Sequence, residues 1–185
     1  MKGGKSMGIC IISFSGRKDG NCAAIGAYVK DLYQGDAELY RFCDFSIAPC
    51  GACGYQCFQR SGCCPHSGDM EAVLLRAVSE ADMTYFIVPN YCDYPCANFF
   101  LFQEREQFYF HWRPDRVEAY EKAPKRFIAV SNTEEEHFRQ IFSCHVKNEP
   151  EILFLRARAF GRASIAGDLL TSEGAKETIR GFVLS

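Results

Sequence analysis

Four consecutive apolar residues, Ile9, Cys10, Ile11 and Ile12, open the patterned part of the chain, a run of the length expected for a strand buried on both faces of a parallel sheet. The run breaks into the polar stretch SFSGRKDGN, and AAIGAYVKDLY follows with apolar residues at helical spacing. Residues 8–22 therefore read as strand, loop and helix start, with Asn21 where an N-cap belongs. Residues 37–43 alternate as a second strand, and 69–81 form an amphipathic helix with acids in its first turn. TYFIVPNY is a third buried strand, ending at Pro89, and residues 95–110 read as an aromatic-rich helix. A fourth strand spans 126–131, Thr133 and Glu136 make a capping box for the next helix, EILFLRARAF is a fifth strand, and SEGAKETIRGFVL a closing helix. Strands and helices that alternate in this way predict one doubly wound α/β domain over 1–185 with a central parallel sheet. Ligands of such sheets bind beyond the carboxyl ends of the strands, which singles out loops 13–22, 89–95 and 131–133.

The chain has 185 residues, nearly half of them apolar, and a formal charge of −2. There is no basic excess to suit nucleic acid or an anionic membrane, so a small-molecule partner is expected. No apolar stretch approaches the roughly 20 residues that span a bilayer. The lysines before the first apolar run are not followed by a small-residue cleavage site, which points to a cytoplasmic protein.

Within the first loop, Ser13, Ser15, Arg17, Asn21, Gly16 and Gly20 supply hydroxyls, an amide, a guanidinium and permissive backbone, an inventory suited to an oxyanion at a helix N-terminus. An ordinary strand-to-helix turn uses similar residues, and neither a Walker ending nor a GxGxxG fingerprint is present. The segment 46–68 has neither helical nor strand periodicity and carries Cys50, Cys53, Cys57 and Cys63 as CxxCxxxCxxxxxC, with Cys64 a competing fourth ligand. Eleven cysteines cannot pair completely within the chain. In a reducing compartment, thiols this close bind metal or do redox work more often than they form disulfides. Iron-sulfur ligation, zinc and free thiols all stay open on spacing alone. Cys10 and Cys43 read as packing residues, Cys92 and Cys96 as structural, and His66, His111, His137 and His145 as exposed. The surplus aromatics between Phe99 and Trp112 suggest a self-association surface. No hydrolase arrangement of Ser, His and Asp is present.

SFSGRKDGN after the first strand, PCGACGYQCFQRSGCCPHSGDM after the second and VPNYCDYP after the third together resemble the flavodoxin-like NAD(P)H-dependent FMN reductases, in particular their iron-sulfur flavoprotein branch. The likeness spans about residues 8 to 110. It implies the flavodoxin fold, a five-stranded parallel sheet in order 2-1-3-4-5 with helices on both faces and the cysteine-rich insert after the second strand. It also implies that Ser15, Arg17, Asn21 and Cys22 meet the FMN phosphate, and that Pro89, Asn90, Tyr91, Cys92 and Asp93 meet the isoalloxazine, joined by Ser131 and Asn132 from a third loop. Cys50, Cys53, Cys57 and Cys63 would then hold a [4Fe-4S] cluster, NAD(P)H would be the electron donor, and the chain would form a dimer or tetramer. Three features depart from the family pattern: Cys22 stands where Ser or Thr is usual, the third loop lacks glycine, and the second cysteine gap is three residues where two is typical. An electron carrier without substrate turnover and a zinc-stabilised binding domain are the rival functions.

Overall fold

The computed structural model describes residues 8–34, 37–51, 53–59, 62–133 and 136–185. Strands β1 (Ile9–Ser13), β2 (Ala37–Arg41), β3 (Met83–Tyr91), β5 (Lys125–Val130) and β6 (Glu151–Leu155) are all parallel, in the order β2-β1-β3-β5-β6. The two-residue β4 (Tyr94–Pro95) folds back antiparallel on the end of β3. With that short strand set aside, the order is the one expected, and the architecture is the flavodoxin-like doubly wound sandwich.

Strand alternation sends successive side chains to opposite faces. Cys10, Ile12, Phe86, Val88, Phe127 and Ala129 enter one core, and Ile11, Tyr85, Ile87, Ile128 and Val130 the other. Helices α1 (Asn21–Leu32) and α7 (Glu173–Leu184) close the second core. The first is closed by α2 (Glu71–Glu80), α3 (Ala97–Arg105), α4 (Gln107–Phe110), α5 (Pro114–Lys122) and α6 (Glu136–Phe142).

Several expectations are corrected. Strand β3 runs past Pro89 to Tyr91, because Pro89 lies on the edge facing β1 beyond the point where β1 ends (Ser13 pairs with Ile87), so its missing N–H leaves no ladder bond unmade. The helix read over 95–110 breaks at Glu106 into α3 and α4, and α5 is an addition, buried mainly through Tyr120. Strand β6 stops at Leu155, opposite the last residue of β5, and the chain continues as a 3-10 turn over Ala157–Phe160. The aromatic surplus is core rather than surface: Phe99, Phe102 and Tyr109 are buried, and of that run only Phe100 and Trp112 are exposed. His145, expected at the surface, is fully buried between Tyr120 (Nδ1 to OH 2.8 Å) and Glu106 (3.2 Å). Among the described residues no helix is long and apolar enough to cross a membrane.

Candidate functional site

The carboxyl ends of β1, β3, β5 and β6 bring four loops together. In the first, Gly20 precedes α1 in extended conformation and no side chain among the described residues caps the helix, so the first-turn amides of α1 face the loop without a capping partner there. Ser15 is buried and its Oγ accepts from the Arg17 amide at 3.1 Å, which tightens the turn and leaves the hydroxyl proton available. Arg17 is exposed and its Nη1 donates to the Ile165 carbonyl at 2.9 Å, which among the described residues leaves most of the guanidinium's donors unspent.

Asn21 does something other than the sequence suggested. It is the first helical residue and is 5% exposed. Its Oδ1 accepts from the Leu169 amide at 3.0 Å and its Nδ2 donates to the Ser164 carbonyl at 2.9 Å. Asn21 is therefore neither an N-cap nor a side chain offered to an anion; it fastens the loop after β6 across the loop after β1. Gly167 completes that crossing with φ +79°, and a Cβ there would stand 2.9 Å from the Asp19 carbonyl, so glycine is required twice over. Cys22 is buried beneath the turn, and burial, followed by the neighbouring Cys96 thiol, pushes its pKa well above the ordinary thiol range, so it stays protonated.

The second loop is a hairpin. Tyr91 pairs with Tyr94 across Cys92 and Asp93, whose φ values of 53° and 64° are those of a two-residue turn with both central residues left-handed. Tyr91 and Tyr94 are about half exposed, and Tyr94 stacks on His137 at 4.2 Å. The His137 Nε2–H donates to the Asp93 carbonyl. Thr133 Oγ1 donates to Asp93 Oδ1 at 2.9 Å and accepts from Asn90 Nδ2 at 3.1 Å. Ser131 Oγ takes a second bond from Asn90 Nδ2 (2.5 Å) and donates to the Thr133 carbonyl (2.6 Å). Ser131 is therefore consumed in joining the loops and is not free to meet a ligand. Asn132 is exposed and reaches Ser164 Oγ at 3.2 Å. Pro89 anchors the hairpin from below, its carbonyl accepting from the Cys96 amide at 3.1 Å. Asn90 Oδ1 is buried and has no partner among the described residues. The sequence placed Thr133 in the third loop but gave it no role in this group, and it did not point to His137 at all. Thr133 reads as a helix cap, and nothing in the local pattern brings His137 to the hairpin.

Cysteines of the insert line a pocket to which none of these loops contributes. Cys50, Cys53, Cys57 and Cys64 line one small pocket against α3 and α4, with His66 and Arg105. Cys63 is exposed and lies outside it, so the fourth thiol of the group is Cys64, the alternative the sequence left open beside Cys63. Burial raises the Cys57 pKa, and the nearby Cys64, Cys50 and Cys53 raise it further. Among the described residues no three metal-binding side chains already stand close enough to ligate an ion.

The base of the insert is closed by Arg105, 2% exposed. It pairs with Asp69 (2.9 Å) and donates to the carbonyls of Ala48 and of His66 (3.4 Å), with Cys64 Sγ at 3.8 Å. Asp69 in turn accepts from the amides of Ala48 (3.2 Å) and Glu71 (3.1 Å). One ion pair thus ties both ends of the insert to α3 and starts α2.

The strand order and the helices on both faces give the chain a flavodoxin-like fold. No protein-family model and no curated protein matches the sequence. Solved structures do match in fold. The Trp repressor binding protein from Bacillus subtilis superposes with a TM-score of 0.60 over 94% of this chain and 96% of its own, at 16% identity. FerB, a flavoenzyme NAD(P)H:(acceptor) oxidoreductase from Paracoccus denitrificans, matches at 0.55 over 96% and 95%, at 15% identity. A flavone reductase matches at 0.53 over 96% of this chain and 62% of its own, at 16% identity.

Proposed function

We propose that this chain is an FMN-dependent oxidoreductase that takes hydride from NAD(P)H and passes electrons to an acceptor. The observation that carries the reading is the uncapped first turn of α1 facing a loop that also holds the Ser15 hydroxyl and the Arg17 guanidinium, with the β3 hairpin rising beside it. Those groups suit the phosphate of FMN. The buried, unpartnered Asn90 Oδ1 suits a ring N–H, and the half-exposed Tyr91 and Tyr94 offer an aromatic wall. Bound FMN would supply the hydride and electron chemistry. The chain's own part is to grip the phosphate, to orient the ring with Asn90 and the backbone of Cys92 and Asp93, and to shield one face. The likeness in fold to a protein described as a flavoenzyme NAD(P)H:(acceptor) oxidoreductase supports the same reading.

Arg17→Ala is expected to weaken FMN binding by about 1.5 to 3 kcal/mol, the range for a charge-assisted hydrogen bond, as read by titration of flavin fluorescence. Unchanged affinity would move the phosphate elsewhere. Steady-state NAD(P)H oxidation by the FMN-loaded protein separates an enzyme from an electron carrier, which would hold flavin without turning over.

Cys50, Cys53, Cys57 and Cys64 are the residues that would hold a [4Fe-4S] cluster. Their shared pocket and the influence of the other three thiols on Cys57 support that choice, and soft thiolates suit iron-sulfur chemistry. In anaerobically purified protein, Cys64→Ser is expected to abolish bound iron and sulfide while Cys63→Ser retains both. Equal loss in the two variants, or a wild-type protein carrying zinc instead, would overturn the assignment.

A further inference from the structure

A cavity of about 250 Å³ opens between the cysteine insert, α2 and the α4–α5 connection, away from the loops that suit FMN. Three arginines line it, Arg76, Arg113 and Arg116, and no Asp or Glu does among the described residues. The chain as a whole carries more acids than bases, 23 against 21, so a wall with three cations and no counter-charge runs against its overall balance.

Among the described residues no carboxylate pairs with these arginines. Arg113 donates to the Trp112 carbonyl (3.3 Å), and Arg116 donates to the Tyr109 carbonyl (3.3 Å) with its guanidinium 4.5 Å from the Tyr109 ring centroid. A carbonyl and a ring face orient a guanidinium without cancelling its charge. Arg76 is exposed on α2 and has no hydrogen bond or ion pair with any described residue. The α4–α5 side of the wall is aromatic, with Phe108, Tyr109, His111 and Trp112, and the opposite side is made of small, polar and thiol side chains of the insert and α2. Trp112 is held in place by its indole N–H, which donates to the Phe58 carbonyl at 3.1 Å, and His111 packs on the Phe58 ring at 4.6 Å.

We propose that this cavity binds a planar aromatic acid of one or two rings, its anionic group on the arginines and its ring against Trp112 and His111. The size sets the ring count. A cavity of roughly 150 Å³ holds a benzene, and drug-sized ligands take about 300 Å³ or more, so the space here falls between them. The same cavity touches Cys57 and Cys64, so its occupant would lie beside the four-thiol pocket. The inference does not depend on flavin binding.

Trp112 is the single tryptophan of the chain, so its fluorescence lifetime reports on this wall directly. Titration of the full chain with 4-nitrobenzoate is expected to give saturable quenching, with the uncharged 4-nitrobenzamide at least tenfold weaker. Arg76→Ala should weaken 4-nitrobenzoate at least tenfold and leave the amide unchanged, with Arg76→Lys in between. Arg113→Gln serves as an independent second variant with the same expectation, and circular dichroism confirms that each variant is folded. The proposal fails if the amide binds as tightly as the acid or if both variants bind 4-nitrobenzoate like the wild type. It also fails if inorganic phosphate displaces the probe at equal concentration, which would make this a bare anion site.

Discussion

Arg105→Ala is expected to cost about 3 to 5 kcal/mol of folding stability, the range for removing one partner of a buried ion pair. The side chain is 1% exposed and serves Asp69, two carbonyls and the neighbourhood of Cys64 at once. Its loss leaves the Asp69 carboxylate without its cation and releases the chain on both sides of the insert from α3. Arg105→Lys should recover little, because an ammonium cannot span Asp69, Ala48 and His66 with one planar fork. Urea unfolding measures the cost, and alkylation of Cys57 and Cys64 should speed up in the variant. A change below about 1 kcal/mol, with alkylation unaltered, would show that the insert is held by other contacts.

The second large effect concerns pH. Glu71 is 0% exposed, and neither carboxylate oxygen has a partner among the described residues. Burial first and the charge of Glu106 next raise its pKa from the ordinary 4.5 to about 9, with Arg105 opposing in part and Asp69 adding to the rise. Between those two values the unfolded chain has released this proton while the folded chain keeps it. The contribution of Glu71 to stability should therefore be fully present below about pH 4.5 and fall as pH rises toward 9. From pH 5 to pH 7.5 the loss is expected to be on the order of 3 kcal/mol. Lys125 works in the opposite sense at higher pH. Burial lowers its pKa from 10.5 to about 8, so its contribution is present above 10.5, is lost as pH falls through 8, and is flat over pH 5 to 7 where Glu71 acts. Glu71→Gln should flatten the decline seen by thermal unfolding between pH 5 and 7.5. A wild-type protein with no slope in that window would mean that Glu71 ionises normally.

Both residues are silent in the sequence. Glu71 reads as one of the acids that open an amphipathic helix, and Arg105 as one charge in an aromatic-rich helix. Neither carries a local sign of burial, because burial of a charged side chain depends on which distant segments close over it. Asp69 and Arg105 are 36 positions apart and meet only when α3 packs against the insert. The choice between Cys63 and Cys64 is of the same kind. Two adjacent thiols leave a turn in different directions, and only the packing of α3 and α4 selects the inward one.

What the sequence by itself determined is the alternation of apolar runs with helical periods, and through it the parallel sheet, its two covered faces and the strand ends where a ligand would sit. These follow from short-range patterning, since a strand buried on both faces and a helix buried on one must each be written locally in residue type. Tertiary structure alone decided how the site's side chains are spent. Asn21 is taken by the loop after β6, Ser131 by Asn90 and Thr133, and His137 is carried to Tyr94, because hydrogen bonds between loops far apart in the chain form only after the sheet has brought their ends together.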